Sequence, residues 1–61
     1  MKIKFELYDE NDECTLSKDG FEYIPPIGTE VWFERLDGEV KAYNYNLVED
    51  HLIIICKQIN S

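Results

Sequence analysis

Cationic residues are scarce in this chain of 61 residues. Six Lys and Arg stand against thirteen Asp and Glu, so the formal net charge is −7. Nucleic-acid-binding proteins draw most of their affinity from cations that neutralise phosphates, and this balance makes nucleic acid an unfavourable partner. Anionic membrane surfaces are unfavourable for the same reason. A protein partner with a basic surface is favoured, because opposite fields accelerate association.

The residues that usually carry catalysis are also few, with a single His and no Gly-rich phosphate loop. His51 and Cys56 are five residues apart on one predicted strand, so their side chains point to opposite faces and cannot act as base and nucleophile. Catalysis needs a nucleophile, an oriented base and a charge-stabilising group in one pocket. We therefore expect no enzyme, no catalytic residue and no cofactor.

Metal-ligand spacing is missing as well. Cys14 and Cys56 lie too far apart in sequence to match a metal motif. Residues 9–13 begin like a calcium loop, but Cys14 and Gly20 occupy the positions where that loop needs Gly and Glu. We therefore predict no metal site and interpret residues 9–13 as a flexible acidic loop.

Long apolar segments, which would indicate a membrane or secreted protein, are absent. The longest apolar run, residues 52–56, is far too short to span a membrane. The first five residues are too short and too polar for the apolar part of a signal peptide. We expect a cytoplasmic protein in which Cys14 and Cys56 are buried thiols, with one intramolecular disulfide as the alternative.

A period of two runs through the first part of the chain. Ile3, Phe5 and Leu7 alternate with polar residues and predict a half-buried strand that ends at the acidic residues 9–13. Alternation resumes at residue 14, and Lys18-Asp19-Gly20 predicts the turn of a short hairpin because Gly20 tolerates positive φ.

The second part of the chain predicts three further strands. Pro25 and Pro26 stop the preceding strand, and alternation restarts over residues 29–36. Asp37-Gly38 is the strongest local signal in the chain and predicts a two-residue type I′ turn into residues 40–45. Residues 47–50 predict a weaker turn. The last strand, residues 51–59, is so apolar that we place it centrally in the sheet.

These elements define the fold class. No segment has a helical period, and β-branched and aromatic residues dominate. We predict a single all-β domain over residues 1–61, a small antiparallel barrel of five or six strands without a substantial helix. Closure would remove the exposed edges that invite aggregation. An open, strongly bent antiparallel sheet is the alternative.

Two segments resemble known families. Phe5-Glu6-Leu7-Tyr8-Asp9, the acidic stretch and Leu16-Ser17 resemble the opening of Src-homology-3 domains. This resemblance implies a groove for proline-rich peptides, with Tyr8 and Trp32 as candidate floor residues and residues 9–13 as the acidic rim.

Residues 24–58 resemble small SH3-like barrel proteins encoded by phages and mobile elements. Ile24-Pro25-Pro26-Ile27-Gly28-Thr29-Glu30-Val31 is similar to their Pro-x-x-Gly-x-x-Val entry into a barrel strand. A turn at Gly38, an alternating strand and an aliphatic closing strand complete the resemblance. It implies the fold more than a function.

The aromatic residues predict a binding surface. If Val31, Phe33, Val40 and Ala42 line the core, the neighbouring aromatic side chains lie together on the opposite face, and an exposed aromatic patch usually marks a partner. The acidic loop would form its rim. The alternatives are that residues 9–20 cover this face or that it seals a homodimer. The predicted partner-binding residues are Asp9, Glu10, Asp12, Glu13, Trp32, Tyr43 and Tyr45.

The leading hypothesis is a non-enzymatic module that presents this acidic, aromatic surface to a basic protein. Its specific form is a phage-type inhibitor of a nucleic-acid-handling protein, in which carboxylates stand in for phosphates as in a DNA mimic. The alternatives are a self-associating structural protein, a proline-rich-peptide binder of the Src-homology-3 type and, last, direct nucleic-acid binding. The last would use a local basic face formed by Lys2, Lys4, Lys41 and Lys57.

Overall fold

Five β-strands form one curled sheet. The computed structural model describes residues 1–59; residues 60 and 61, which the predicted domain includes, lie outside this range. The strands are β1 (Lys2–Tyr8), β2 (Cys14–Phe21), β3 (Glu30–Phe33), β4 (Leu36–Asn46) and β5 (His51–Gln58). Their order is β2-β1-β5-β4-β3, and the sheet curls into a half-barrel. The all-β prediction and the central place of the last strand are confirmed, and no described residue is helical.

The sheet is mixed rather than antiparallel throughout. Three pairings, β1–β2, β3–β4 and β4–β5, are antiparallel as predicted. The exception is β1 with β5, which run parallel from Lys2 opposite His51 to Tyr8 opposite Lys57. Parallel neighbours need a long crossover connection, and the three intervening strands provide one here.

The core lies on one face of the sheet, which we call the inner face; the other is the outer face. All the buried side chains in the core are apolar: Ile3, Phe5, Leu7, Phe33, Val40, Ile54 and Cys56. β1 contributes three of these core residues, because apolar residues alternate strictly along it and every second side chain points to the same face. No buried side-chain nitrogen or oxygen within residues 1–59 lacks a hydrogen-bond partner.

Gly38 has a packing role, and the turn predicted at Asp37-Gly38 is wrong. The two-residue turn lies earlier, at Glu34 and Arg35, between the paired residues Phe33 and Leu36. Glu34 takes a left-handed φ of 58° there. Gly38 is buried inside β4, and a Cβ on it would lie 2.5 Å from Leu7 Cδ1 and 3.2 Å from the Lys57 carbonyl oxygen. Glycine is therefore required by the close approach of β1 and β5.

Gly20 marks a bulge, and the turn predicted at Lys18-Asp19-Gly20 is also wrong. β2 continues through these residues to Phe21. Ile3 pairs with Phe21 and Lys4 with Asp19, so Gly20 is an extra residue with a φ of 88°. Such a bulge keeps the strand paired while increasing its local twist. The turn predicted at residues 47–50 is confirmed, since Asn46 pairs with His51.

A second bulge, in β4, changes which side chains face the core. Val40 pairs with Cys56 and Ala42 with Ile55, so Lys41 is the extra residue. Beyond it the alternation is inverted, and Ala42, predicted to line the core, is exposed on the outer face.

Both cysteines are free thiols, one exposed and one buried. The prediction of burial is confirmed for Cys56 and wrong for Cys14, which begins the edge strand β2. Burial raises the pKa of the Cys56 thiol to about 11. Across residues 1–59 the chain has no helix of the length and apolar character needed to cross a membrane.

Candidate binding cleft between the two edge strands

A cleft separates the two strands at the ends of the sheet. β2 and β3 are not hydrogen-bonded neighbours, so each has one unpaired edge. The space between them has a volume of about 380 Å³. Its lining is mostly apolar and aromatic, as in many ligand sites. The lining residues are Phe5, Leu16, Lys18, Phe21, Tyr23, Val31, Trp32, Phe33 and Glu34.

Three phenylalanine rings join the two sides of this cleft. The Phe5 ring meets the Phe21 ring edge to face, with centroids 4.8 Å apart at an interplanar angle of 74°. It meets the Phe33 ring in a similar way, at 6.1 Å and 69°. Such arrangements match the positive edge of one ring to the negative face of another. Aromatic packing thus connects β2 and β3 through β1 where backbone hydrogen bonds do not.

The cleft also exposes large aromatic side chains. Tyr23 is 69% exposed and Trp32 is 73% exposed, while Phe21 is 42% exposed. Tyr and Trp are the residue types most enriched in binding hot spots. The cleft therefore has three exposed aromatic side chains around an apolar interior, the composition of an interaction surface.

Carboxylates flank the cleft. Glu34 is an exposed residue of the lining, Glu22 is exposed between the lining residues Phe21 and Tyr23, and Glu30 is exposed at the start of β3. Within residues 1–59 none of these three carboxylates takes part in an ion pair. Lys18 is a cation in the lining. The cleft therefore combines an apolar interior with a largely acidic surround.

The aromatic residues predicted to share one face do not share it. Register places Trp32 on the outer face, because its neighbour Val31 pairs with the buried Gly38. Tyr43 pairs with the buried Ile54 and so belongs to the inner face, as a result of the bulge in β4. The prediction of a single aromatic face is therefore wrong, and of the three aromatics predicted to bind, Trp32 is the one that lines the cleft.

Tyr43 and Tyr45 are held by hydrogen bonds within the chain. The Tyr43 hydroxyl donates to the carbonyl oxygen of the buried Pro25 at 2.6 Å. The Tyr45 hydroxyl donates to Asp50 Oδ1. This hydrogen bond raises the pKa of Tyr45 and lowers the pKa of Asp50, because it stabilises the protonated phenol and the ionised carboxylate together.

The acidic loop forms a separate structured surface. Asp9 Oδ1 accepts hydrogen bonds from the backbone N–H groups of Asn11 at 2.8 Å and Glu13 at 3.0 Å. Asp12 adopts a left-handed φ of 62° and its Oδ1 lies 2.7 Å from Lys57 Nζ. Asp9 thus shapes the loop, while Glu10 and Glu13 are exposed. None of the four predicted acidic residues of this loop lines the cleft.

Tyr8 and Trp32 line different depressions. Tyr8 donates its hydroxyl to Glu6 Oε1 at 2.7 Å, and this hydrogen bond raises the pKa of Tyr8 to about 12. Tyr8 lines an outer-face depression of about 430 Å³ together with Ile55 and Lys57. Trp32 lines the cleft between the edge strands. The two candidate floor residues of a proline-rich-peptide groove are therefore not adjacent.

Sequence reasoning missed most of the cleft, above all Phe5, Phe21 and Tyr23. The alternation correctly assigned Phe5 to the core, but nothing local shows that β2 and β3 meet across it. Within the described part of the chain, no group of three or more His, Cys, Asp or Glu could hold a metal ion. Comparison with protein-family models, curated proteins and solved structures finds no match to this chain.

Proposed function

We propose that this chain is a non-enzymatic binding module that holds a basic partner protein through the cleft between β2 and β3. The observation that carries the proposal is an apolar cleft of about 380 Å³ with exposed Tyr23 and Trp32 in a chain of net charge −7. Aromatic anchors supply affinity when a partner desolvates them, and opposite charge supplies rapid association.

A more specific form of the proposal is a phage-type inhibitor that occupies a basic site normally used by nucleic acid. The exposed carboxylates of Glu10, Glu13 and Glu30 support it, since none is in an ion pair within residues 1–59. Asp12 would contribute less, because Lys57 neutralises it. Free carboxylates can occupy positions that phosphates take in a basic groove.

The experiment is affinity capture from lysate of the source cells, followed by reconstitution with each purified captured protein. Wild type is compared with Tyr23→Ala/Trp32→Ala and with Val48→Ala, which truncates a 93% exposed side chain away from the cleft. We expect a basic protein that binds wild type and Val48→Ala one to one. Its affinity should fall at least about tenfold with the double variant and should weaken with salt.

Two results decide against the proposal. One is that the double variant, with an unchanged urea midpoint, binds the purified partner as tightly as wild type, which would move the interface away from the cleft. The other is that binding does not change between low and high salt. For the inhibitor form, the purified partner must also release a bound oligonucleotide when this chain is added; retention of a ternary complex contradicts it.

Self-association is a second candidate function. The turn between β4 and β5 exposes Leu47 and Val48, and β2 and β3 each have one unpaired edge. Such features permit contact between copies, although the net charge opposes it. Sedimentation equilibrium over a range of concentrations tests this candidate, which predicts a defined oligomer that Leu47→Asp dissociates.

A further inference from the structure

We propose that the partner presents an extended segment of alternating apolar and basic residues, which pairs antiparallel with the free edge of β3 as a sixth strand. This inference rests on the proposed function and specifies its binding mode. Addition of a strand to a sheet edge gives affinity through main-chain hydrogen bonds and specificity through alternate side chains.

Hydrogen-bonded and non-bonded positions alternate along β3, and this alternation identifies the backbone N–H and C=O groups that are free at its edge. The Val40 N–H donates to the Thr29 carbonyl at 2.9 Å, which makes Thr29 a hydrogen-bonded position opposite β4. Bonded and non-bonded positions alternate along an antiparallel pair. Glu30 and Trp32 are therefore the non-bonded positions, and their backbone N–H and C=O groups point away from β4 toward the cleft side of the sheet edge.

The other edge is less suited to strand addition. β2 contains two register irregularities in its pairing with β1, at Thr15 and Gly20. Bulges twist an edge away and are a common protection against pairing with another chain. β3 pairs with β4 over its four residues without any irregularity. The edge with regular pairing over the whole strand is thus the edge of β3.

The side chains of β3 specify the sequence pattern of the incoming strand. On the inner face, Val31 and Phe33 line the cleft, so the inner row of the partner should be apolar. On the outer face, Glu30 and Trp32 form the adjacent row. Lys or Arg opposite them would pair with the carboxylate and pack on the indole.

Charge argues against a second copy of this chain as the occupant. Two β3 strands paired edge to edge would bring Glu30 of each copy beside the acidic edge of the other, between chains that each carry −7. Like charges opposite one another across strands are destabilising. A basic segment from another protein relieves this repulsion.

The test uses the synthetic peptide acetyl-Lys-Val-Lys-Phe-Lys-Val-Lys-amide. Its Val and Phe side chains would form the apolar inner row, and its Lys side chains the basic outer row. Trp32 is the single tryptophan, so its fluorescence reports binding directly. In the proposed register the amides of the lysines bond to Glu30 and Trp32, and the amides of Val and Phe point away. N-methylation of two interior lysine amides should weaken binding at least about tenfold, whereas N-methylation of Phe and one Val should leave it nearly unchanged.

A charge comparison separates local contact from net charge. Glu30→Lys should weaken binding of the unmodified peptide several-fold more than Glu10→Lys, which makes the same charge change on the acidic loop. Equal losses for the two variants, or equal losses for the two N-methylation patterns, overturn the proposal. So does a concentration-dependent dimer that changes Trp32 fluorescence without peptide, since a second copy would then be the occupant.

The two proposals fail differently. If the peptide shows no binding while a purified basic partner still depends on Tyr23 and Trp32, strand addition is wrong and the binding function of the cleft stands. If partner binding is also indifferent to Tyr23→Ala/Trp32→Ala, both are wrong.

Discussion

The two halves of β4 both alternate polar residues with apolar or small ones, yet their environments are opposite. In residues 36–40 no side chain is exposed, and Gly38 and Val40 are buried; in residues 41–46 every residue is exposed. The first half has a neighbour on each side, β3 and β5, whereas the second half has β5 alone. The bulge at Lys41 separates them. The comparison shows that burial on this strand depends on its neighbours, because the apolar pattern hardly changes along it.

Gly38→Ala should have the largest effect on stability. The new Cβ would lie 2.5 Å from Cδ1 of the fully buried Leu7 and 3.2 Å from a backbone oxygen, so neither neighbour can move freely. We expect a loss of about 3 kcal/mol in the free energy of unfolding, measured by urea denaturation. Gly38→Ala/Leu7→Val removes the contact with Leu7 Cδ1 and keeps the one with the backbone oxygen, so the loss should be smaller than the sum of the single losses. Simple additivity would contradict this account.

Val40→Ala should have the next largest effect. Val40 is fully buried, so truncation removes two methyl groups from the core and leaves a cavity. We expect a loss of about 2 kcal/mol in the free energy of unfolding. Asn44→Ala, on the exposed half of the same strand, should change it by no more than about 0.5 kcal/mol. Similar losses at the two positions would remove the difference between the halves.

Tyr43→Phe should show how the second half is anchored. The change deletes the hydroxyl that donates to the buried Pro25 carbonyl at 2.6 Å. We expect a loss of about 1 kcal/mol in thermal or urea unfolding, because the carbonyl loses its donor. Tyr23→Phe makes the same chemical change on an exposed side chain and should be nearly neutral. A neutral Tyr43→Phe would mean that the segment before β3 does not stabilise this half.

Tyr45→Phe should have the smallest effect, present near neutral pH and absent in acid. The pKa of Asp50 is lowered chiefly by the Tyr45 hydrogen bond, so the stabilisation is present above the ordinary value near 3.8 and is lost as pH falls below it. Without the hydroxyl, the pKa of Asp50 should move up toward that value, as followed by NMR titration of the carboxyl carbon. Tyr8→Phe serves as the control, since Tyr8 bonds to Glu6 instead. An unmoved Asp50 titration would show that the hydrogen bond is not formed in solution.

The sequence determined the features that depend on neighbouring residues. The alternation of Ile3, Phe5 and Leu7 identified the side chains of β1 that face the core. On a half-buried strand with a period of two, the apolar side chains all lie on one face, and that face is the buried one. The apolar residues of β5 indicated its central position. Exposure of Trp32 also followed from its place between Val31 and Phe33. Strand content and the all-β class were therefore predictable.

Tertiary structure decided the features that depend on distant segments. Asp37-Gly38 has the local preference of a turn, yet packing against Leu7 requires Gly38 inside a strand and moves the turn to Glu34 and Arg35. The bulge at Lys41 inverts the faces of Tyr43 and Tyr45, and no local pattern specifies it. The candidate cleft exists only because curling of the sheet brings β2 and β3 to either side of Phe5. Local preferences are worth about 1 kcal/mol, and the burial of one core side chain exceeds them.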